Sequence, residues 1–220
     1  MPSQNEIRKS RLLVVEGNHE RDLFEAWLEA LGREDIQVLP IGGKTLLMDN
    51  LRGLVKQAAF PQVMSLLIVR DADDNAEQAF RAACDGLTRA GLVAPRQPEA
   101  FIEEPNPADP IGRTVLKTGV FITPGSQRQG ALEELLIQTA ASDPLAPKAS
   151  QLVVDAVALL GQPDAQRLPP PSHRRGKAQV HAFLATFEEP DKDPGKAALA
   201  GFWDFNHPAL QPLLRMLEQL

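Results

Sequence analysis

The sequence predicts an α/β fold in which a parallel β-sheet is flanked by helices and followed by a helical C-terminal extension. Three short apolar runs, at residues 12–16, 36–40 and 66–71, have the length and composition of buried strands. Amphipathic runs lie between them, and strands that alternate with helices form parallel sheets through crossover connections. We therefore predict an α/β core at residues 8–125 and a mainly helical extension, packed on that core, at residues 126–220.

The helices of the core are predicted by the spacing of their apolar residues and by their capping residues. Apolar positions between residues 23 and 31 define the first helix, and Gly32 is placed to end it. A similar set of positions between residues 47 and 55 defines the second helix. The third helix follows the third strand, with Asp74 or Asn75 as its N-cap.

The rest of the chain is less regular. A proline-rich segment at residues 95–110 predicts a surface loop or a hairpin edge, and residues 119–125 predict a further strand closed by a turn. Helical spacing then recurs at residues 130–140, 145–161, 177–187 and 208–220. These later helices make up the predicted extension.

Composition narrows the classes of function. The formal net charge of −6 argues against a protein that coats nucleic acid non-specifically, although a local site can still bind it. Aromatic residues make up 5% and tyrosine is absent, which argues against a stacking platform for single strands. The single Cys84 forms no intrachain disulfide and the N-terminus lacks an apolar signal segment, so we expect a reducing cytoplasm. No apolar run is long enough to span a bilayer, so we expect no membrane partner.

Two of the predicted strands end in carboxylates. Glu16 ends the first strand, Asp71 ends the third, and Asp73 follows two residues later. If these strands are neighbours in a parallel sheet, the carboxylates share its C-terminal edge, and alternation along an extended chain points Asp71 and Asp73 the same way. Carboxylate oxygens are ligands that Mg²⁺ prefers, so the pattern indicates a metal site. The structural alternative is that Glu16 begins a turn and the later acidic residues cap the next helix.

The segments around these carboxylates, LLVVEGNHERDLF and LLIVRDADD, resemble the Toprim fold, which occurs in topoisomerases, primases and the OLD-family nucleases. Glu20 resembles an acidic residue of OLD-like members, and IGGK after the second strand resembles their glycine pair. The resemblance is closer over the first 125 residues than over the remainder.

This resemblance implies a function and a role for each acidic residue. It implies that Glu16 acts as general acid or base, and that Asp71 and Asp73 hold Mg²⁺ or Mn²⁺, with Glu20 as a further acidic ligand. A metal in that position polarises a phosphoryl oxygen and positions the attacking water. The topoisomerase branch also needs a catalytic tyrosine, which this chain lacks.

Two later stretches, GALEELL and GKAQVHAFLA, resemble a bacterial group of uncharacterised Toprim-related proteins. In the first stretch, helical geometry places Glu133 at the border of the apolar stripe, as a candidate metal ligand, and turns Glu134 toward solvent. In the second, Lys177 lies on the side of the apolar stripe and can reach a scissile phosphate or the acidic cluster, as a late lysine does in OLD-like nucleases. The alternatives are a flanking glutamate on the first turn of a helix and a lysine that snorkels from a solvated loop.

Three other features predict no site. The GGKT stretch at residues 42–45 lacks the earlier glycine of a P-loop, because Val38 stands at that position. The four histidines show no metal-ligand spacing and Cys84 has no partner cysteine, so zinc is not expected. Cys84 falls within a predicted helix, where a core thiol is more common than a nucleophile.

The sequence therefore predicts a Mg²⁺- or Mn²⁺-dependent phosphodiester hydrolase, or a related phosphoryl-transfer enzyme, that acts on nucleic acid. The alternative is a non-catalytic Toprim-derived module that binds or regulates a partner. The set of carboxylates favours the enzyme, whereas the low content of basic residues favours the module. The sequence does not decide between a monomer and a homo-oligomer, and it leaves open whether the substrate is DNA, RNA or a nucleotide.

Overall fold

The structure is a computed structural model that describes residues 6–43, 47–161, 168–189 and 193–220. Its centre is a five-stranded sheet. The strands are β1 (Arg11–Val15), β2 (Ile36–Pro40), β3 (Ser65–Asp71), β4 (Phe101–Pro105) and β5 (Val115–Thr123). They lie in the order β2-β1-β3-β5-β4, with β4 antiparallel to β5 and the other neighbours parallel. The predicted α/β class with a mostly parallel sheet is confirmed.

Helices connect and follow these strands. In the described ranges they are α1 (Asn18–Ala30), α2 (Leu47–Val55), α3 (Ala76–Arg89), α4 (Glu133–Thr139), α5 (Ala146–Leu160), α6 (Arg175–Leu184), α7 (Pro194–Leu199) and α8 (Gln211–Gln219). Of the two predicted caps of α3, Asn75 is the one used, because its side chain accepts a hydrogen bond from the amide of Gln78 at 2.9 Å. None of the described helices combines the length and the apolar character that crossing a membrane requires.

Both faces of the sheet are covered, because neighbouring residues of a strand point to opposite faces. On one face, Leu12 and Val14 of β1 join a buried cluster with α2 and α3. On the other face, Leu13 and Val15 join a larger cluster that includes α1, α4, α6 and α8. Burial of apolar surface on both faces holds the layers together. Helices from the C-terminal part thus pack on the same sheet face as α1, while the boundary at residue 125 stays a prediction.

Two elements differ from the sequence-based expectation. The proline-rich segment contains the edge strand β4, so the hairpin-edge alternative is correct there, and β5 begins at Val115 rather than at residue 119. Helix α7 was not predicted, because its six residues are too few to show a helical period. It packs against α1, and the Asp193 side chain caps it by accepting a hydrogen bond from the amide of Lys196 at 2.9 Å.

Candidate active site

The order of the strands brings two of the predicted carboxylates to one edge of the sheet. Strands β1 and β3 are parallel neighbours, with Val14 paired to Ile68, so both run toward the same edge. Glu16 directly follows β1, and Asp71 is the last residue of β3. The backbone amide of Asp71 donates a hydrogen bond to Glu16 Oε1 at 3.3 Å. The neighbouring strands on which the metal-site hypothesis depends are therefore present.

Asp71 is held in one orientation by its surroundings. Its side chain is buried, and its Oδ1 atom accepts hydrogen bonds from Thr123 Oγ1 at 2.7 Å and from the amide of Leu132 at 3.0 Å. Thr123 is its register partner on β5, so both side chains emerge on the same face of the sheet. The other oxygen, Oδ2, lies 3.4 Å from Lys177 Nζ. One carboxylate oxygen of Asp71 is thus hydrogen-bonded to neighbouring structural residues, and the other faces the Lys177 side chain.

Lys177 bridges Asp71 and Glu133. Its Nζ atom also lies 3.8 Å from Oε1 of Glu133, the first residue of α4, whose side chain is only 14% exposed. Burial of the Lys177 ammonium lowers its pKa, but the negative charges of Glu133, Asp71 and Glu20 raise it more, so the pKa lies above its ordinary value. The structure thus joins Asp71 of β3, Glu133 of α4 and Lys177 of α6, and the sequence had singled out all three.

The surroundings of Glu133 raise the pKa of its carboxyl group to about 8. Burial is the largest cause and the negative charge of Asp71 adds to it, whereas the positive charge of Lys177 opposes the rise. Glu20, in the first turn of α1, also raises the pKa of Glu133, and the two glutamates line the same small cavity. Glu20 therefore lies near Glu133, and its role as a metal ligand, which the resemblance implies, stays a prediction.

Glu16 has a positively charged neighbour that the sequence analysis missed. Arg70 Nε lies 3.6 Å from Glu16 Oε1, and each side chain is 13% exposed. Arg70 Nε has no hydrogen-bond acceptor within the described ranges, so its contact with Glu16 is an ion pair without a hydrogen bond. A signal was available: Arg70 is a charged residue inside an otherwise apolar strand, directly before Asp71.

The regular alternation of side chains that was predicted to align Asp71 with Asp73 does not extend to Asp73. Strand β3 ends at Asp71, and Asp73 has a φ of 48°, in the left-handed region, so side-chain alternation stops before it. The backbone of Asp73 exchanges two hydrogen bonds of 2.8 Å with Gly130 instead. Asp73 thus stays near the edge through its backbone, and its role as a metal ligand stays a prediction.

Glu134 does not point toward solvent, which corrects the helical-wheel prediction. Its Oε2 atom accepts a hydrogen bond from the amide of Ala131 at 2.5 Å, and its Oε1 atom accepts one from the amide of Gly176 at 2.9 Å. Burial raises the pKa of Glu134 above its ordinary value, although both amides lower it. The prediction failed because α4 is short and the start of α6 packs beside it, so the apolar stripe alone does not determine which flank is covered.

The carboxyl groups that the structure describes at this site are of the type that binds hard cations, but they do not surround a common point at which an ion would be coordinated. Within the described ranges, no three His, Cys, Asp or Glu side chains are grouped in a way that holds a metal ion. One oxygen of Asp71 is committed to Thr123, and the ammonium of Lys177 faces the other. The site therefore contains carboxyl groups from several elements, with the Lys177 side chain between those of Asp71 and Glu133.

Among the described residues, the remaining candidates from the sequence add no catalytic side chain to this site. Burial raises the pKa of Cys84 to about 11, which makes it a poor nucleophile and agrees with the structural interpretation. Lys44 and Thr45 of the GGKT stretch lie outside the described residues. A wider cavity of about 540 Å³ lies beside β2, near Lys9 and Arg33, but it contains none of the predicted site residues. The acidic residues and the lysine that the sequence singled out therefore remain the candidates for function, and they meet at the C-terminal edge of the sheet.

Fold and site together define an α/β protein with acidic residues and a lysine at the C-terminal edge of a mostly parallel sheet. The chain belongs to the family described as "Protein of unknown function (DUF3226)", whose model matches residues 10–220. No curated protein matches the sequence.

Solved structures similar to this chain include C-terminal regions of OLD proteins. The region from Burkholderia pseudomallei is 18% identical, with a TM-score of 0.46, and the match covers 97% of this chain and 98% of that one. The region from Xanthomonas campestris pv. campestris is 15% identical, with a TM-score of 0.45 and coverage of 98% and 100%.

Proposed function

We propose that this protein is a divalent-metal-dependent phosphodiester hydrolase of the Toprim type that acts on nucleic acid. The observation that carries the proposal is the convergence of Asp71, Glu133 and Lys177 at the C-terminal edge of the sheet, with Lys177 Nζ 3.4 Å and 3.8 Å from the two carboxylates. Ligands of α/β proteins bind in the crevice at this edge. The motifs around Glu16 and Asp71, which resemble Toprim sequences, support the same function.

The acidic residues fit Mg²⁺ or Mn²⁺. Hard divalent cations prefer oxygen ligands, and Asp71, Asp73, Glu20 and Glu133 would hold the ion together with water. Burial and, after it, the negative charge of Asp71 raise the pKa of Glu133 to about 8, and a cation between these carboxylates would favour the ionised form of Glu133. When bound, such an ion polarises a phosphoryl oxygen and lowers the pKa of bound water.

Lys177 and Glu16 would supply the remaining chemistry. Attraction by the surrounding carboxylates raises the pKa of Lys177, so the side chain is an ammonium at neutral pH and can donate hydrogen bonds to a phosphoryl oxygen. Charge that develops on that oxygen would be stabilised most where water is largely excluded. Glu16, whose carboxylate accepts a hydrogen bond from the amide of Asp71, would take or return a proton at the same edge.

A second candidate function is a binding or regulatory module without turnover. The observation that favours it is the position of the Lys177 ammonium, which contacts Asp71 and Glu133 and thereby satisfies part of the negative charge without a metal. The formal net charge of −6 also disfavours extended contact with a phosphate backbone.

Nuclease assays with a matched pair of variants test the proposal. Purified protein is incubated in Mn²⁺ with plasmid, single-stranded DNA and RNA. We expect cleavage by the wild type and by Asp85→Asn, an exposed position on α3, but not by Asp71→Asn. Binding without product on any substrate would favour the module. Equal product from Asp71→Asn would identify a contaminating nuclease and contradict the proposed site.

A further inference from the structure

We infer that Glu134 is a positioning residue that holds Lys177 in place between Asp71 and Glu133. The inference concerns the site of the proposed function and rests on it for the importance of Lys177. Glu134 is adjacent to Glu133 on α4, and its carboxylate accepts a hydrogen bond from the amide of Gly176, the residue before Lys177. One helix thus contacts both the side chain of Lys177, through Glu133, and the backbone next to it, through Glu134.

The Gly176 amide needs such a partner because of its place in the helix. Helix α6 begins at Arg175, so the amide of Gly176 belongs to the first turn and has no acceptor within the helix. A carboxylate at the N-terminal end of a helix also interacts favourably with the helix dipole. The second oxygen of Glu134 accepts from the amide of Ala131, just before α4. The carboxylate therefore joins the beginnings of two helices that carry Glu133 and Lys177.

The space for this carboxylate exists because two glycines border it. A Cβ atom at Gly176 would lie 2.3 Å from the carboxyl carbon of Glu134, and one at Gly130 would lie 2.7 Å from the same atom. Cβ atoms essentially never come this close to atoms to which they are not bonded, so any larger residue at position 176 would displace the carboxylate. Gly130 in addition has a φ of 123°, which a residue with a side chain rarely adopts. The space that the Glu134 carboxylate occupies thus requires glycine at both position 130 and position 176.

Two substitutions disturb the contact in different ways. Glu134→Gln keeps the shape of the side chain but leaves one acceptor oxygen for two amides, and its NH₂ group faces an N–H donor. Gly176→Ala keeps the charge of Glu134 but pushes its carboxylate out of the crevice. Because alanine favours helices more than glycine does, Gly176→Ala would stabilise α6 if the contact with Glu134 did not matter.

The position of Lys177 can be followed without any substrate. The full-length protein is treated briefly, at one fixed pH, with an amine-acylating reagent, and each lysine is quantified by mass spectrometry. We expect labelling of Lys177 to rise in both variants by about tenfold, the factor that corresponds to losing one hydrogen bond to a charged group. Labelling of Lys148 and Lys196, which are exposed in the wild type, should stay unchanged. Glu77→Gln, an exposed glutamate of α3, serves as the matched control and should leave Lys177 as in the wild type.

The outcomes separate this inference from the proposed function. Unchanged labelling of Lys177 in both variants would overturn the positioning role, as would an equal rise at every lysine, which reports general unfolding. If Glu134→Gln does not fold, Gly176→Ala alone decides in the same way. If the wild type cleaves no nucleic acid but Lys177 labelling rises selectively, the proposed function fails and the positioning role stands. If the wild type cleaves nucleic acid, Glu134→Gln alone should lower the cleavage rate. In a protein that already carries Lys177→Met, adding Glu134→Gln should lower the rate no further.

Discussion

Replacing Glu133 with glutamine should change how the stability of the protein depends on pH. The pKa of Glu133 is about 8 in the folded protein, because of burial and of the neighbouring Asp71, against an ordinary value of 4.5. The folded state therefore binds a proton that the unfolded state has released, and the free energy of unfolding falls as pH rises from about 4.5 to about 8. The stabilisation that the proton on Glu133 contributes is fully present below pH 4.5, and it is lost as the pH rises through the folded-state pKa of about 8.

The size of the effect follows from the distance between the two pKa values. Each unit corresponds to about 1.4 kcal/mol, so ionisation of Glu133 costs the folded state at most about 5 kcal/mol above pH 8. Glutamine cannot ionise and has nearly the shape of the protonated glutamate. We expect Glu133→Gln to resemble the wild type near pH 5 and to be the more stable protein, by up to this amount, near pH 9.

Urea unfolding at pH 5, 7 and 9 measures the difference, because titrating groups that do not interact with Glu133 cancel between the two proteins. Glu77→Gln, an exposed glutamate on α3 that pairs with Arg81, is the matched control and should keep the wild-type slope with pH. Identical pH profiles for the wild type and Glu133→Gln would refute the reasoning, since they would show that Glu133 ionises as easily in the folded protein as in the unfolded chain.

Three further outcomes follow from the site. Saturating Mn²⁺ at about 100 times its Kd should stabilise the wild type by about 2.7 kcal/mol relative to chelator; equal melting temperatures in the wild type with and without metal would contradict a metal site. Asp71→Asn and Asp73→Asn should each weaken both the stabilisation by Mn²⁺ and any cleavage. Glu16→Gln should lower the cleavage rate by about 10²- to 10⁴-fold and affect ion binding less. If Glu16→Gln lost ion binding and cleavage to the same extent, its role as general acid or base would be contradicted. Lys177→Met should lower the stability measured in chelator by about 1–2 kcal/mol, more than Lys148→Met on the surface, because it leaves Asp71 without its ammonium partner; calorimetry without metal checks this, and equal effects of the two substitutions would contradict it.

Local patterns in the sequence predicted much of the fold. The three apolar runs became β1, β2 and β3, and the alternation with helices predicted their parallel arrangement. The cap of α3 was narrowed to two residues, of which the structure uses Asn75. These features are predictable because burial of a strand and capping of a helix depend on residues that are close in sequence.

The candidate site was predictable only in part. Because parallel strands end at a common edge, the sequence was enough to place Glu16 and Asp71 together. It did not determine the conformation of Asp73, whose backbone is turned by its pairing with Gly130, nor the contact of Arg70 with Glu16. Each of these depends on a neighbour that is supplied by another part of the chain.

The sequence by itself determined β1, β2 and β3, most of the helices and the carboxylates at the strand ends, since each of these follows from residues within a few positions of one another. Tertiary structure alone decided that Lys177 meets Asp71, a residue 106 positions earlier in the chain. It also decided that Glu134 turns inward to the amide of Gly176. The reason is that the environment of a side chain on the flank of a short helix is set by the helix that packs beside it, and no local period carries that information.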